Sequence, residues 1–333
     1  MRCHFFLLNS EQKVQVPTIN IGMLTKASAC ATQRKLIRNP DVGNKKTKMK
    51  LLRFGEFGKE KPGLISNDVV YDVSSFGEDY NENFFETDGL RRLEEFLKKN
   101  QSALPKVSEQ ARLGSPIARP SKIVCIGLNY EDHARETNTA IPPEPVIFLK
   151  ATSSLCGPVD DIIIPKNSQK TDWEVELAVV IERKVSYVAE SDAMNYVVGY
   201  CLHNDVSERT FQLERNGTWD KGKGCDTFAP LGPWLVTKDE IEDVNNLRLW
   251  LTVNGKVMQD GTTANLIFKI PFLVSYVSQF MSLLPGDVIS TGTPAGVGLG
   301  MKPQVYLKRG DIVELGIDGL GFARQRCRNY VAN

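Results

Sequence analysis

Histidine is scarce in this chain: His4, His133 and His203 are the only three among 333 residues. Any proton-transfer role for an imidazole therefore falls on very few positions. Seven cysteines (3, 30, 125, 156, 201, 225, 327) form no C-x-x-C pair; their odd number, the size of the chain and the apolar runs around four of them read as a reducing compartment without a disulfide framework. No uninterrupted apolar run approaches the 18 or so residues of a spanning helix. Phe5-Phe6-Leu7-Leu8 is too short for the apolar region of a secretory signal. Net charge is nearly absent too: 41 Lys plus Arg stand against 40 Asp plus Glu, a formal +1. That balance gives no reason to expect nucleic acid or an anionic membrane as partner.

The chain does have 41% hydrophobic residues, enough for a sizeable core, and a length that allows one large domain or two unequal ones. Its charge is uneven. Residues 1–48 hold nine bases and two acids, so they form a basic leader without sustained period, and the remainder is mildly acidic. The leader weakly resembles a mitochondrial transit peptide but lacks the Arg-rich amphipathic helix. The expectation is that Met49 opens the functional protein. The location is then cytoplasmic, with a mitochondrial alternative should 1–48 serve as a transit peptide.

Residues 49–115 read as a small first domain. Leu51–Phe54 and Gly63–Val73 form short strands, and Leu90, Leu93, Phe96 and Leu97 share one helix face behind a cap at Asp88. Residues 102–121 carry Pro105, Gly114, Pro116 and Pro120 and read as a linker. From 120 to 330 strands dominate: Lys122–Ile126, Val146–Leu149, Trp173–Ile181 and Val197–Leu202. Leu247 to Val253 alternates into the turn Asn254-Gly255, and Ile312–Ile317 runs into Asp318-Gly319. Asp287–Ile289 is a further strand. Leu273, Val274, Val277, Met281 and Leu284 predict a helix closed by Pro285-Gly286. The fold class is α+β and β-rich, with a mixed or antiparallel core.

Glu174 and Glu176 carry the most information. Trp173, Val175, Leu177, Val179 and Ile181 take one face of a strand, which puts both carboxylates on the other, about 6.6 Å apart at Cα. Two such carboxylates repel and cost desolvation. Either Arg or Lys partners at a solvent-facing edge compensate, or a hard divalent cation does. Asp205 ends an apolar strand and reads equally as an N-cap for the segment at Val206 or as a third ligand. The three acids together favour an Mg²⁺-type site. His133 and Glu136 are three apart, on one face of a helical turn; a carboxylate there orients an imidazole as a general base requires, although a surface pair has the same spacing. His203 reads as a satisfied core residue with a supporting role open to it. Cys225 has no base beside it in sequence and is a poor nucleophile. The segment 221–230 lacks phosphate-loop spacing and reads as a turn, whereas the glycine-rich 290–298 reads as a loop that approaches a ligand closely.

Several segments resemble the fumarylacetoacetate hydrolase superfamily in order and spacing. They are Gly127-Leu128-Asn129-Tyr130 with His133 and Glu136, Asp172 to Ala178, Asn204 to Arg209, Lys223 with Asp226-Thr227-Phe228, Pro285-Gly286-Asp287, and Thr291 to Gly298. The small N-terminal part and Gly217 to Lys223 look most like the 2,4-diketo-3-deoxy-rhamnonate or fuconate hydrolase branch. Members of that branch are often labelled ureidoglycolate lyase or hydroxyheptadienedioate isomerase. The resemblance implies a rolled mixed β-sheet and a homodimer. It implies Glu174, Glu176 and Asp205 as ligands of Mg²⁺, or of Mn²⁺ or Ca²⁺. It implies catalytic roles for His133, Glu136 and Lys223, and substrate contacts at Tyr130, Lys150, Gln212 and Thr293. The substrate implied is a small 2-oxo or 2,4-diketo acid, hydrolysed at a C–C bond through an enolate. Decarboxylation, tautomerisation or hydration of a 2-oxo acid is the alternative chemistry.

Overall fold

The computed structural model describes residues 49–332. Residues 1–48, with the leader reading and His4, lie outside the described residues. A ten-stranded mixed sheet runs through the molecule. Its strands are β1 (Lys50–Phe54), β2 (Lys61–Ser66), β3 (Val69–Asp72), β4 (Ile123–Gly127), β5 (Val146–Lys150), and, beyond the short strand β6 (Ile162–Ile164) of a second sheet, β7 (Val175–Ile181), β8 (Val197–Asn204) and β9 (Leu235–Thr237). After the hairpin β10 (Arg248–Val253) and β11 (Lys256–Thr262), β12 (Val288–Ser290) returns to the large sheet, and β13 (Ile312–Ile317) and β14 (Gly321–Asn329) close the chain. The large sheet has the order β3-β2-β1-β9-β8-β7-β12-β4-β5, with Leu113–Gly114 also pairing β1. All its pairings are antiparallel except β12 with β4. A five-stranded sheet has the order β11-β10-β13-β14-β6.

The period-two pattern of β7 decides how the layers pack. Val175, Leu177, Val179 and Ile181 join a core with Leu249, Leu251, Val313 and Leu315 of the second sheet. Ala178 and Val180 join another core on the opposite face, with Phe84, Leu93, Leu97, Ile123 and Phe148. Glu174 and Glu176 follow the parity of this second face, so they sit at the end of an apolar layer. The strand is central and buried throughout, not half-buried at an edge.

Two local expectations fail. Asp88 precedes the helix α1 (Gly89–Asn100) with a left-handed φ of 60°, and its side chain caps no backbone N–H of the first turn. Its carboxylate accepts from Arg91 instead. The apolar spacing from Leu273 to Leu284 overshoots: the helix over Ile270–Ser278 ends at Ser278, and Leu283 pairs as a strand residue with Val185. The Asn254-Gly255 hairpin is present, with φ of 52° and 77° at its two turn residues. Cys125, Cys156, Cys201, Cys225 and Cys327 are free thiols. Among the described residues, no helix is long and apolar enough to cross a membrane.

Candidate active site: a buried carboxylate triad

β7 and β8 are antiparallel neighbours with Val175 opposite Asn204. This register puts Glu174, Glu176 and Asp205 at one end of the pair. One oxygen from each lies within 4.8 Å of the others. Asp205 does not cap the helix that follows; Glu208 does, accepting from Thr210 N at 3.2 Å. Asn204 holds the junction, its Oδ1 accepting from Glu174 N at 3.2 Å and its Nδ2 donating to Gln325 at 3.0 Å.

Three cations converge on these acids. Lys223 Nζ donates to Glu174 Oε2 at 2.7 Å and to Asp205 Oδ2 at 2.9 Å. Lys150 Nζ donates to Asp205 Oδ1 at 2.5 Å and to the Val206 carbonyl at 3.0 Å. Arg209 bridges Glu174 Oε1 at 2.6 Å and Asp172 Oδ2 at 2.8 Å, and donates to Gln212 Oε1 at 3.0 Å. Asp172 also accepts from the backbone N–H groups of Trp173, Gly298 and Leu299. Arg209 and Asp172 were legible as motif residues, yet sequence gave them no role. Their pairings span 35 and 37 residues, and no local pattern signals them.

The basic partners split two carboxylates that share a strand. Burial pushes both up. Lys223 and Arg209 outweigh it at Glu174 and hold that carboxyl below its ordinary range. Glu176 accepts from Ser290 Oγ at 2.5 Å and Gly292 N at 3.1 Å, with no cation in contact. Burial, then the charges of Asp205 and Glu174, raise it well above the usual carboxylate range. Asp205 goes the other way, since Lys150 and Lys223 overcome its burial. The donor set is all carboxylate oxygen, and at Glu176 the pull of Lys223 does not make up for burial and the two neighbouring acids, so its ionisation calls for further positive charge. Both features fit a hard divalent cation.

Lys223 depends on a close approach of backbones. It ends the short helix Asp220–Lys223, which packs on the helix Arg209–Leu213. A Cβ on Gly222 would lie 2.5 Å from the Glu208 carbonyl and 2.6 Å from Gln212 Cβ, so only glycine fits. The segment 221–230 is therefore no loose turn at its start: Lys223 is buried, with Nζ 4.9 Å from the Phe148 ring centroid.

A cavity of about 680 Å³ opens over the triad. His133, Glu136, Glu174, Glu176, Arg209, Gln212, Lys223 and Thr293 line it, and Phe148, Trp219, Leu299 and Met301 give it an apolar wall. His133 Nδ1 faces Glu136 Oε2 at 3.4 Å across one turn of the helix Glu131–Glu136. Glu136 is anchored by Gly296 N–H at 3.0 and 3.1 Å. Gly296 has a φ of 107°, and a Cβ there would meet the Met258 carbonyl at 1.9 Å. Asp205, Tyr130 and Lys150 are buried and stand outside the cavity wall. The Tyr130 hydroxyl has no partner among the described residues. Burial and the charge of Glu176 raise its pKa. Thr293 Oγ1 donates to the Val175 carbonyl at 2.9 Å and accepts from Gln259 at 2.8 Å, so its proton is already committed. His203 is buried beside Ser290, and burial lowers its pKa to about 3.

Comparison with known proteins identifies the family and the fold. The family described as "Fumarylacetoacetate (FAA) hydrolase C-terminal" matches residues 122–328. A Burkholderia ambifaria protein, provisionally named a hydrolase, is 52% identical over 283 residues, covering 84% of this chain and 99% of its own. The 2-hydroxyhepta-2,4-diene-1,7-dioate isomerase of Mycobacterium marinum is 31% identical with a TM-score of 0.66, covering 85% of this chain and 100% of that one. The maleylpyruvate hydrolase of Sphingobium sp. SYK-6, solved with manganese(II) and pyruvate, is 28% identical with a TM-score of 0.71, covering 85% and 100%. The strand-rich α+β fold expected from the sequence is the fold of these neighbours. The chain belongs to the fumarylacetoacetate hydrolase family, whose members are hydrolases and isomerases of small organic acids.

Proposed function

We propose that the protein is a divalent-cation-dependent hydrolase that cleaves the C–C bond between the two carbonyls of a 2,4-diketo acid of acylpyruvate type, 2,4-diketo-3-deoxy sugar acids included. One observation carries the reading: Glu174, Glu176 and the His133–Glu136 pair line one cavity, and Asp205 stands behind its wall with an oxygen within 4.8 Å of both glutamates. Glu174, Glu176 and Asp205 would hold Mg²⁺, with Mn²⁺ and Ca²⁺ as alternatives. The cation would supply Lewis acidity to the 2-oxo group of the substrate. Charge supports an anionic substrate. Asp172, Glu174 and Asp205 pair with Lys150, Lys223 and Arg209, and Glu176, ionised on binding a cation, would add one negative charge in excess. A doubly positive ion reverses that excess, and a singly charged carboxylate restores balance.

His133 is the general base. Glu136 holds Nδ1–H, so Nε2 presents its lone pair to a water molecule and takes its proton. The hydroxide adds to the C4 carbonyl, the C3–C4 bond breaks, and its electron pair moves onto C3 and the 2-oxo oxygen. Lys223 offers positive charge on that side of the pocket. The proton held at His133 then returns to C3, which balances pyruvate plus a carboxylic acid. Gln212 and Thr293 border the same space and would contact substrate; Tyr130 and Lys150 would support from beneath. The protein would act as a homodimer, which light scattering on the eluted peak tests.

A second reading is isomerisation of a 2-oxo acid, favoured by the likeness to the Mycobacterium marinum isomerase. It uses His133 for proton transfer without water addition. A panel of 2,4-diketo and 2-oxo acids, with Mg²⁺ or with EDTA, decides between them by mass spectrometry in ¹⁸O-water. Hydrolysis gives two fragments, with a heavy oxygen in the newly formed carboxyl group; isomerisation gives one product that keeps every carbon of the substrate. Glu174→Ala retaining metal-dependent turnover would sink both.

A further inference from the structure

We propose that His203 is a positioning residue for Glu176, acting through the Ser290 hydroxyl to hold that carboxylate in its metal-binding orientation. Glu176 and His203 are directly opposite on β7 and β8, so both project to the same face. Ser290 lies on β12, the neighbour of β7 on its other side, opposite Ala178. Ala178 follows Glu176 on this face with only a methyl group, and the imidazole reaches across the strand to Ser290 Oγ at 2.6 Å.

The direction of the hydrogen bonds fixes the role. Ser290 has one proton and donates it to Glu176 Oε2 at 2.5 Å. Its oxygen is then an acceptor toward His203, so Nδ1 must carry the ring proton. Donation runs from Nδ1–H to Oγ and from Oγ–H to Oε2, where Gly292 N–H adds a second bond at 3.1 Å. With Oε2 fixed from two sides, Oε1 is left without a hydrogen bond among the described residues and free to coordinate. Core satisfaction does not account for His203: its Nε2 is buried with no partner among the described residues, an unfavourable state for a polar atom. Partners that orient ligands in this way tune metal affinity.

The inference rests on Glu174, Glu176 and Asp205 being cation ligands, and the test separates the two ideas. Mn²⁺ binding to the full chain is titrated by the EPR signal of free Mn²⁺, with a melting curve for each variant. His203→Leu and Ser290→Ala should each weaken Mn²⁺ binding about 10–100-fold, and the double variant no further than the stronger single. His203→Asn, whose amide nitrogen stands near the Nδ1 position, should bind close to wild type. His203→Leu binding as wild type, or His203→Asn binding as poorly as His203→Leu, overturns the role. If His203→Leu does not fold, Ser290→Ala with unchanged affinity overturns it alone. A purely structural histidine would lower the melting temperature and leave the affinity of the folded protein intact. Wild type that binds no Mn²⁺ overturns the cation site itself, and this role with it.

Discussion

Replacing Arg209 by Met is a direct test of how the acids are held. The side chain is 4% exposed and bridges Asp172 and Glu174, so the variant keeps the volume and removes the charge. Breaking a buried pair by removing one partner costs about 3–5 kcal/mol, because the charge left behind is uncompensated. Asp172 keeps three backbone donors and Glu174 keeps Lys223, which places the loss at the lower end, about 3 kcal/mol. At about 2.1 cal/mol/K per residue, unfolding residues 49–332 carries an entropy of roughly 0.6 kcal/mol/K, so the melting temperature should fall by about 5 °C. The sign of the pH dependence is fixed as well. The folded Glu174 carboxyl lies below its ordinary value of 4.5, so its stabilisation is present above that pH and is lost as pH falls through the folded value. Removing Arg209 removes part of that term, and the variant and wild type should converge on acidification. Differential scanning calorimetry from pH 7 down to about 2 reads both effects. A melting temperature within 1 °C of wild type at pH 7, or a gap that widens in acid, would refute the account.

The other expectations concern separate parts of the site. His133→Ala should lower kcat by roughly 10²–10⁴ while leaving Mn²⁺ affinity unchanged, with Glu136→Gln milder; pyruvate release and metal titration together check this. Gly222→Ala forces two helices apart at contacts of 2.5 and 2.6 Å. It should cost about 1–3 kcal/mol and reduce turnover, read by calorimetry and the same assay. Glu60 is pushed up by burial but held below 4.5 by its hydrogen bond from Arg112, so its stabilisation is lost as pH falls below that value. Glu60→Gln should therefore flatten the acid limb of stability against pH, and an unchanged limb would count against it.

The sequence made the alternating features readable. The period of two from Trp173 to Ile181 located β7 and put Glu174 and Glu176 on one face, because strand parity is a local property. Asn254-Gly255 marked its turn through backbone chemistry alone. The helix beginning at Ile270 was overextended because apolar residues continue past Ser278, where they pack as an irregular segment. Asp205 was ambiguous between cap and ligand, and only the position of Glu208 three residues on resolves it. The bridging by Arg209, the lysine pair on Asp205 and the link from His203 to Ser290 join residues 18 to 87 positions apart. Such pairings depend on sheet order, which no spacing encodes.

The two strands that carry the acids are interior members of the large sheet, each flanked on both sides. Their amides should be among the slowest in the molecule to exchange with deuterated solvent, since freeing them demands opening of the whole sheet. The acidic end of the pocket is accordingly a rigid anvil. The opposite wall, where the short helix Glu131–Glu136 and Thr137 to Thr139 border the cavity outside the large sheet, should exchange faster.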